Sequence, residues 1–369
     1  MTTSVSFPEV VFMINISDLD KNLAVSHTLD KEVKERFEFF DPEQAPFKMY
    51  GVFRENEKFV RIPTKVAETV SDGVNALKNH SAGGRIRFVT DSQSVALIVK
   101  CWDNGGMAHF AYAGVCGFDL YGSQNDDMRY FGTFVSPLGF KGGYEGVVNL
   151  PSKEKRTICI NMPLYNCVEK VYIGLIKGSI LEEAEDLIGP PVVYYGSSIT
   201  QGGCASKPGD CYQAILHRNL KTDYINLGFS GNAKGEDTMM EYIAGLDMSV
   251  FVYDYDHNAP SVEHLKNTHY KGYKKVREAH PDIPIIMMTR PKFYLTKDEL
   301  ARNATVRASY EKAMAEGDEK VYFIDGRELV PEEVYHHALV DNCHPTDLGF
   351  FYMAKRIAPL LYRFVSLRG

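Results

Sequence analysis

Val192-Val193-Tyr194-Tyr195-Gly196-Ser197-Ser198-Ile199-Thr200-Gln201-Gly202-Gly203 is the stretch from which the rest of the chain can be read. An apolar, β-prone run stops at a glycine, and a serine stands just beyond it. More glycines follow, and an amphipathic segment begins near Asp210. That order predicts a strand, a tight turn and then a helix. Such a turn lifts a serine hydroxyl out of the end of a sheet, within reach of a substrate. A serine hydroxyl is a weak nucleophile at neutral pH and needs a base. The later segment Asp341-Asn342-Cys343-His344-Pro345 offers one, with a carboxylate three positions before an imidazole and just ahead of the last helical pattern.

Between these two segments lie Asn226-Leu227-Gly228-Phe229-Ser230-Gly231-Asn232-Ala233 and Asp254-Tyr255-Asp256-His257-Asn258-Ala259-Pro260. Together the four blocks resemble the SGNH (GDSL-type) hydrolases, in that family's order and over about half of the chain. Gly196-Ser197-Ser198-Ile199 stands where the family has Gly-Asp-Ser followed by Leu or Ile. Gly231 matches its oxyanion-binding glycine, Asn258 its asparagine donor, and Asp341 with His344 its Asp-x-x-His. Two departures are visible. Ser197 replaces the motif's aspartate, and Asp256 and Ala259 replace the glycine and final aspartate of Gly-x-Asn-Asp, so the support around the donors must differ. Gly117-Phe118-Asp119-Leu120-Tyr121 also looks like the Gly-x-Asp-Leu-Tyr signature of an amino-terminal domain that precedes one branch of these hydrolases.

The chain has 369 residues, 44% of them hydrophobic, which suggests two domains with sizeable cores. A formal net charge of −7 without basic runs gives no reason to expect nucleic acid or an anionic membrane as partner. Nothing approaches the roughly 20-residue apolar span of a membrane helix. The first residues lack the basic region and apolar core of a signal peptide, Val10-Val11-Phe12-Met13 being too short for that core. The default expectation is therefore cytoplasmic, with a secreted protein lacking its signal as the alternative. The seven cysteines include no Cys-x-x-Cys pair, so neither a disulfide framework nor a zinc site is indicated, and most read as small buried thiols.

The first half reads as β. Residues 84–90, 94–100, 157–160 and 168–175 are strand candidates, separated by turns such as Asp103-Asn104-Gly105-Gly106 and Lys141-Gly142-Gly143. Many short strands with turn punctuation suggest an antiparallel sandwich. A charged stretch, Leu181–Asp186, and Pro190-Pro191 lead out of it, placing the division near residue 185: an amino-terminal β-sandwich over 1–185 and a catalytic domain over 186–369. In the second half, strand candidates 192–195, 223–227, 249–254, 283–289 and 320–324 alternate with helix candidates 210–219, 237–244, 261–279, 298–316 and 346–364. The fold class expected is α/β, a flavodoxin-like parallel sheet between helices, preceded by the sandwich. Ligands in such sheets bind beyond the carboxyl ends of strands, where Ser198, Gly231 and Asn258 all fall.

Acyl transfer needs a nucleophile, a base, a group that orients the base, and donors for the developing oxyanion. The resemblance assigns these roles to Ser198, His344 and Asp341, with the oxyanion donors being the N–H groups of Ser198 and Gly231 and the side-chain amide of Asn258. The ordinary readings are turn chemistry for Ser198, a cap or turn role for Asp341, a surface imidazole for His344, a positive φ for Gly231 and an Asx turn for Asn258. Asp210 is expected to cap the helix that follows it. His336-His337 has no His-x-x-x-His or carboxylate companion in sequence, and no metal or organic cofactor is expected. Cys343 is a poorer nucleophile candidate than Ser198. Trp102, Tyr112, Tyr121 and Tyr130 read as core aromatics more readily than as a sugar-stacking platform.

The chain is thus expected to hydrolyse short-chain carboxylic esters, with O-acetyl groups on a carbohydrate as the first choice. A lysophospholipase or thioesterase and a non-catalytic glycan-binding protein on a hydrolase scaffold are the alternatives. The expected partner is a small-molecule or glycan ester, and the oligomeric state is open.

Overall fold

The computed structural model describes residues 28–102, 107–124, 127–218 and 220–365; the apolar run at Val10–Met13 and the turn at 103–106 lie outside them. The second half is built on five parallel strands: β1 (Val192–Gly196), β2 (Tyr224–Gly228), β3 (Val250–Asp254), β4 (Ile285–Met288) and β5 (Val321–Ile324), in the order 2-1-3-4-5. This is the flavodoxin-like order, and its switch point lies where the chain reverses direction between β1 and β3. Every residue of β1 and β3 is buried, because helices cover both faces. This explains why these strands read as continuous apolar runs rather than alternating ones.

The described helices include α1 (Ser198–Gln201), α2 (Tyr212–His217), α3 (Asp237–Ala244), α4 (Val262–Ala279), α5 (Lys297–Ala315) and α6 (Asp347–Val365), with a single turn at Tyr335–Ala338 before the last. Their starts follow local chemistry. Ser261 accepts from the His264 N–H ahead of α4, and Thr296 with Glu299 forms a capping box at α5. Asp210 does not cap α2. Pro208–Asp210 forms a 3-10 turn, so Cys211 takes the cap position, while the Asp210 carboxylate is engaged by Lys207 and Ser206. The proline begins a separate turn, and the helix starts one residue later than a cap at Asp210 would place it. No described helix is long and apolar enough to cross a membrane.

The first half holds two antiparallel sheets. One runs Phe37–Phe40, Val168–Ile176, Ser94–Cys101, Tyr144–Asn149. The other runs Leu181–Glu182, Arg85–Thr90, Arg156–Asn161, Phe118–Gln124, Asp127–Phe134, with Lys48–Tyr50 also paired to Arg85–Thr90. Among the described residues a small hairpin and four short helices, Lys31–Glu35, Thr64–Val70, Asp72–Leu77 and Tyr112–Cys116, complete it.

The two halves share one core. Ile160, Met162 and Leu164 from the first half join Tyr194, Ile199, Tyr212 and Phe350 from the second in a single buried cluster. Arg61, buried in the junction, donates from Nη1 to the carbonyls of Asn226 (3.1 Å) and Gly228 (2.6 Å) and from Nη2 to that of Leu77 (2.8 Å). The first half thus closes off the carboxyl end of β2 with a side chain.

Candidate active site

The turn after β1 is fixed by close packing. A Cβ added at Gly196 would lie 2.1 Å from the Asp254 carbonyl oxygen, so only glycine fits where β1 and β3 converge. Ser197 is fully buried, and its hydroxyl accepts from the Ile199 N–H, making it the N-cap of α1. The residue in the place of the family's aspartate thus begins the helix. Ser198 follows at the first helical position, where its N–H has no intrahelical acceptor. Its carbonyl accepts from the Gly203 N–H (2.7 Å) and from the Tyr165 hydroxyl (3.2 Å), the latter from the first half.

Across the sheet edge, Tyr335–Ala338 and a loop lead to α6. Asn342 has φ +60°, a left-handed turn that asparagine tolerates. It folds the loop back so that Asp341 Oδ1 accepts from the N–H groups of Cys343 (3.1 Å) and His344 (2.7 Å). Oδ2 then accepts from His344 Nδ1 at 2.8 Å, and Ser198 Oγ lies 2.8 Å from His344 Nε2. With Asp341 taking the Nδ1 proton, Nε2 is left to accept from the serine hydroxyl. The structure therefore brings Ser198, His344 and Asp341 into one hydrogen-bonded chain.

Burial lowers the His344 pKa below its ordinary 6.5; the bond to Asp341 opposes this, and the nearby imidazoles of His109 and His257 add to the lowering. Burial alone would raise the Asp341 pKa. The bonds from the His344 N–H and imidazole and from the Cys343 N–H outweigh it, so the carboxylate stays below its usual value. The Cys343 thiol is pushed up by burial, and its side chain is not the group paired with His344. His344 is thus a neutral imidazole at neutral pH, facing a hydroxyl rather than a thiolate.

Gly231 adopts φ +69° and is exposed, and among the described residues no hydrogen bond engages its N–H. Asn258 donates from Nδ2 to the Phe229 carbonyl at 3.1 Å, tying its loop to the one that carries Gly231. The altered surroundings of Asn258 have their own support: Arg302 Nη1 donates to the carbonyls of Asp256 and Ala259, both at 2.8 Å. Gln201 braces the opposite side. Its Oε1 accepts from the Ser230 N–H (3.0 Å), while Nε2 lies 3.0 Å from His80 Nδ1 and donates to the Leu164 carbonyl (3.1 Å).

Several neighbours of the site carry no sequence signal. His109 Nε2 lies 3.5 Å from Asp341 Oδ2, and its ring centroid is 5.4 Å from that of His344. Phe110 packs edge-on to His344 at 5.7 Å and to Tyr165 at 4.7 Å. A Cβ on Gly203 would meet Phe110 Cζ and the Tyr165 hydroxyl at 3.0 Å, so the first half presses against the loop behind the serine. Asp119, from the Gly-Phe-Asp-Leu-Tyr signature, is fully buried and holds the far end of that loop. Its Oδ2 accepts from the Gly209 N–H (2.6 Å) and its Oδ1 from Asn161 Nδ2 (2.7 Å); burial still raises its pKa to about 6. Tyr121 of the same signature is buried, whereas Trp102 and Tyr130 are exposed.

Among the described residues, three groups of side chains have metal-ligand spacing: His109, Cys204 and His344; Asp341, Cys343 and His344; and Asp254, Asp256 and His257. The first two would take the His344 nitrogens that hold Ser198 and Asp341. In the third, His257 Nδ1 lies 3.1 Å from Asp256 Oδ1, and Asp254 Oδ2 accepts from Thr200 (3.1 Å), which ties the Asn258 loop to α1.

Comparison with known proteins agrees with this architecture. Residues 190–362 match the model of the GDSL-like lipase/acylhydrolase family, and residues 37–181 match that of the GxDLY amino terminus of SGNH-type esterases. A Bacteroides ovatus protein described as a GDSL-like lipase is 26% identical with a TM-score of 0.81, over 89% of this chain and 98% of that one. A salicylyl-acyltransferase of a tetracycline biosynthetic pathway is 18% identical (TM-score 0.70, covering 89% and 99%). An acetyl xylan esterase of the rumen bacterium Butyrivibrio proteoclasticus is 12% identical (TM-score 0.56, covering 89% and 98%). The last two share the fold. No curated protein matches the chain in sequence. The chain belongs to the SGNH (GDSL-type) hydrolases, in the branch with an amino-terminal GxDLY domain, and is an ester hydrolase.

Proposed function

We propose that the protein is a serine esterase that removes short acyl groups, with O-acetyl groups on a carbohydrate as its substrates. The observation that carries this reading is the continuous chain from Ser198 Oγ through His344 to Asp341, with both links at 2.8 Å. In the reaction, Ser198 Oγ attacks the ester carbonyl carbon and its proton passes to His344 Nε2. Asp341 stabilises the imidazolium. The Ser198 and Gly231 N–H groups and the Asn258 amide receive the oxyanion. His344 returns the proton to the leaving alkoxide, freeing the alcohol and leaving an acyl-Ser198 ester. Water, deprotonated by His344, then releases the carboxylic acid and restores the serine.

Two features support a short acyl group on a glycan. Phe110 and Tyr165 crowd the loop behind the serine, leaving it lined by aromatic edges and small residues. The two-part architecture is one that an acetyl xylan esterase also uses. The test is a hydrolysis panel of acetyl, butyryl and octanoyl aryl esters beside acetylated oligosaccharides, with fluorophosphonate labelling of the protein. Acetyl esters should show the highest kcat/KM, and Phe110→Ala should hurt oligosaccharides more than a small aryl acetate. Preference for octanoyl esters would instead favour a lysophospholipase or thioesterase. Failure of a serine-directed phosphonate to label the folded protein would favour a binding protein on a hydrolase scaffold.

A further inference from the structure

A concavity lies in the junction between the halves, apart from the serine site. It encloses about 280 Å³ between the strands Arg85–Thr90, Phe118–Gln124 and Arg156–Asn161 of the first half and α2 with the segment that follows it. None of its lining residues belongs to the serine site. Four cations line it, Arg85, Arg87, Arg218 and Lys221, in a chain whose net charge is −7.

Most of this charge is already matched. Lys221 pairs with Glu185 (3.0 Å), Arg85 with Asp223, and Arg218 lies 3.9 Å from Asp210. Arg218 also spans the Tyr121 ring at 4.1 Å and donates to the Gly209 carbonyl. Arg87 differs from these. Its Nη1 donates to the Glu185 backbone carbonyl (3.2 Å), and among the described residues no carboxylate lies within ion-pair distance of it, although the Glu185 and Asp223 carboxylates feel its charge. Arg85 adds a second open group: the residue is 6% exposed, yet its buried Nη1 has no hydrogen-bond partner. Of the four lining cations, Arg87 is the one left without an ion pair among the described residues, and its planar guanidinium is suited to bidentate contact with two oxygens. The remaining lining includes Met128, Leu187 and Leu220, which suit a compact apolar body.

We propose that this junctional cavity binds a small organic monoanion, a carboxylate on a compact apolar or aromatic body, with Arg87 as its charge partner. A monoanion would match the single guanidinium that lacks an ion pair, Arg87, whereas a phosphate dianion would bring a second charge with no such partner.

The test is calorimetric titration of the full-length protein with benzoate and, separately, with inorganic phosphate. One benzoate should bind per chain, more tightly than phosphate. Arg87→Gln should weaken benzoate by about tenfold or more, as expected for loss of a charge-assisted contact. Thr157→Trp, which adds bulk to the lining, should abolish binding, and Ser198→Ala should leave it intact. The Tm of each variant separates lost binding from lost folding, and Arg87→Lys, which keeps the charge but not the fork, should fall between wild type and Arg87→Gln. Equal benzoate affinity in wild type and a folded Arg87→Gln, tighter binding of phosphate than of benzoate, or loss of benzoate binding in Ser198→Ala would each overturn the proposal.

Discussion

The two sides of the proposed active site are positioned by different means. On the nucleophile side, every residue from Gly196 to Gln201 is buried, and the turn is wedged between β3, β2 and the first half. On the base side, Asp341 and Asn342 are exposed, and His344 is aimed by its own loop and by two aromatic residues from the first half. The core sets the serine, while a short hydrogen-bonded turn sets the imidazole. Substitutions around the serine should therefore touch stability and activity together. Those on the base side should change activity while the fold stays intact.

The largest effect expected is at Ser198. Ser198→Ala should abolish phosphonate labelling and cut kcat by up to about 10⁶-fold, the scale seen when a serine nucleophile is lost. Retained labelling at another residue would break the assignment. Asp341→Asn comes next. It should lower kcat by up to about 10⁴-fold with little change in Tm, since the base side is exposed. Activity requires neutral His344, so kcat/KM in the wild type should rise with pH through a midpoint below 6.5. Asp341 raises the His344 pKa, so in Asp341→Asn that midpoint should move to still lower pH. An upward shift in the pH-rate profile would contradict the pairing.

Asn258→Ala should reduce kcat by about 10²–10³ with KM nearly unchanged, because the amide acts on the developing oxyanion. A rise in KM alone would make Asn258 a substrate contact. The smallest effect sharpens the comparison from the other side. Ser197→Ala removes a buried cap, so calorimetry should record a loss of about 1 kcal/mol, while ester hydrolysis remains measurable. A stable but inactive Ser197→Ala would give Ser197 a role in the chemistry.

The α/β half was legible because its signals are local. Residues 237–244 read as a helix and fold as α3, and the apolar run at 192–195 is β1 but for its final glycine. The helices Thr64–Val70 and Asp72–Leu77 of the first half carry no comparable signal. They are short, and each buries a single residue, Ala67 or Val74. The site divides in the same way. Ser198, Gly231, Asn258, Asp341 and His344 lie in recognisable blocks at strand and helix ends. His109, Phe110 and Tyr165 reach the site through long-range packing of the first half, and nothing in their immediate sequence announces it. Asp210 marks the limit of cap reasoning, since Pro208 draws the aspartate into a turn of its own.

Arg61, which closes the end of β2, also bears on how the chain would respond to being cut. Residues 182–190 between the halves are largely exposed and offer a protease an accessible bond. A nick there would sever the covalent link but leave Arg61 seated on the carbonyls of Asn226 and Gly228 and the shared apolar cluster intact. The two fragments should co-elute as one particle under native conditions and separate only in denaturant. The halves would then behave as a split protein that needs both pieces to persist, rather than as two interchangeable cassettes.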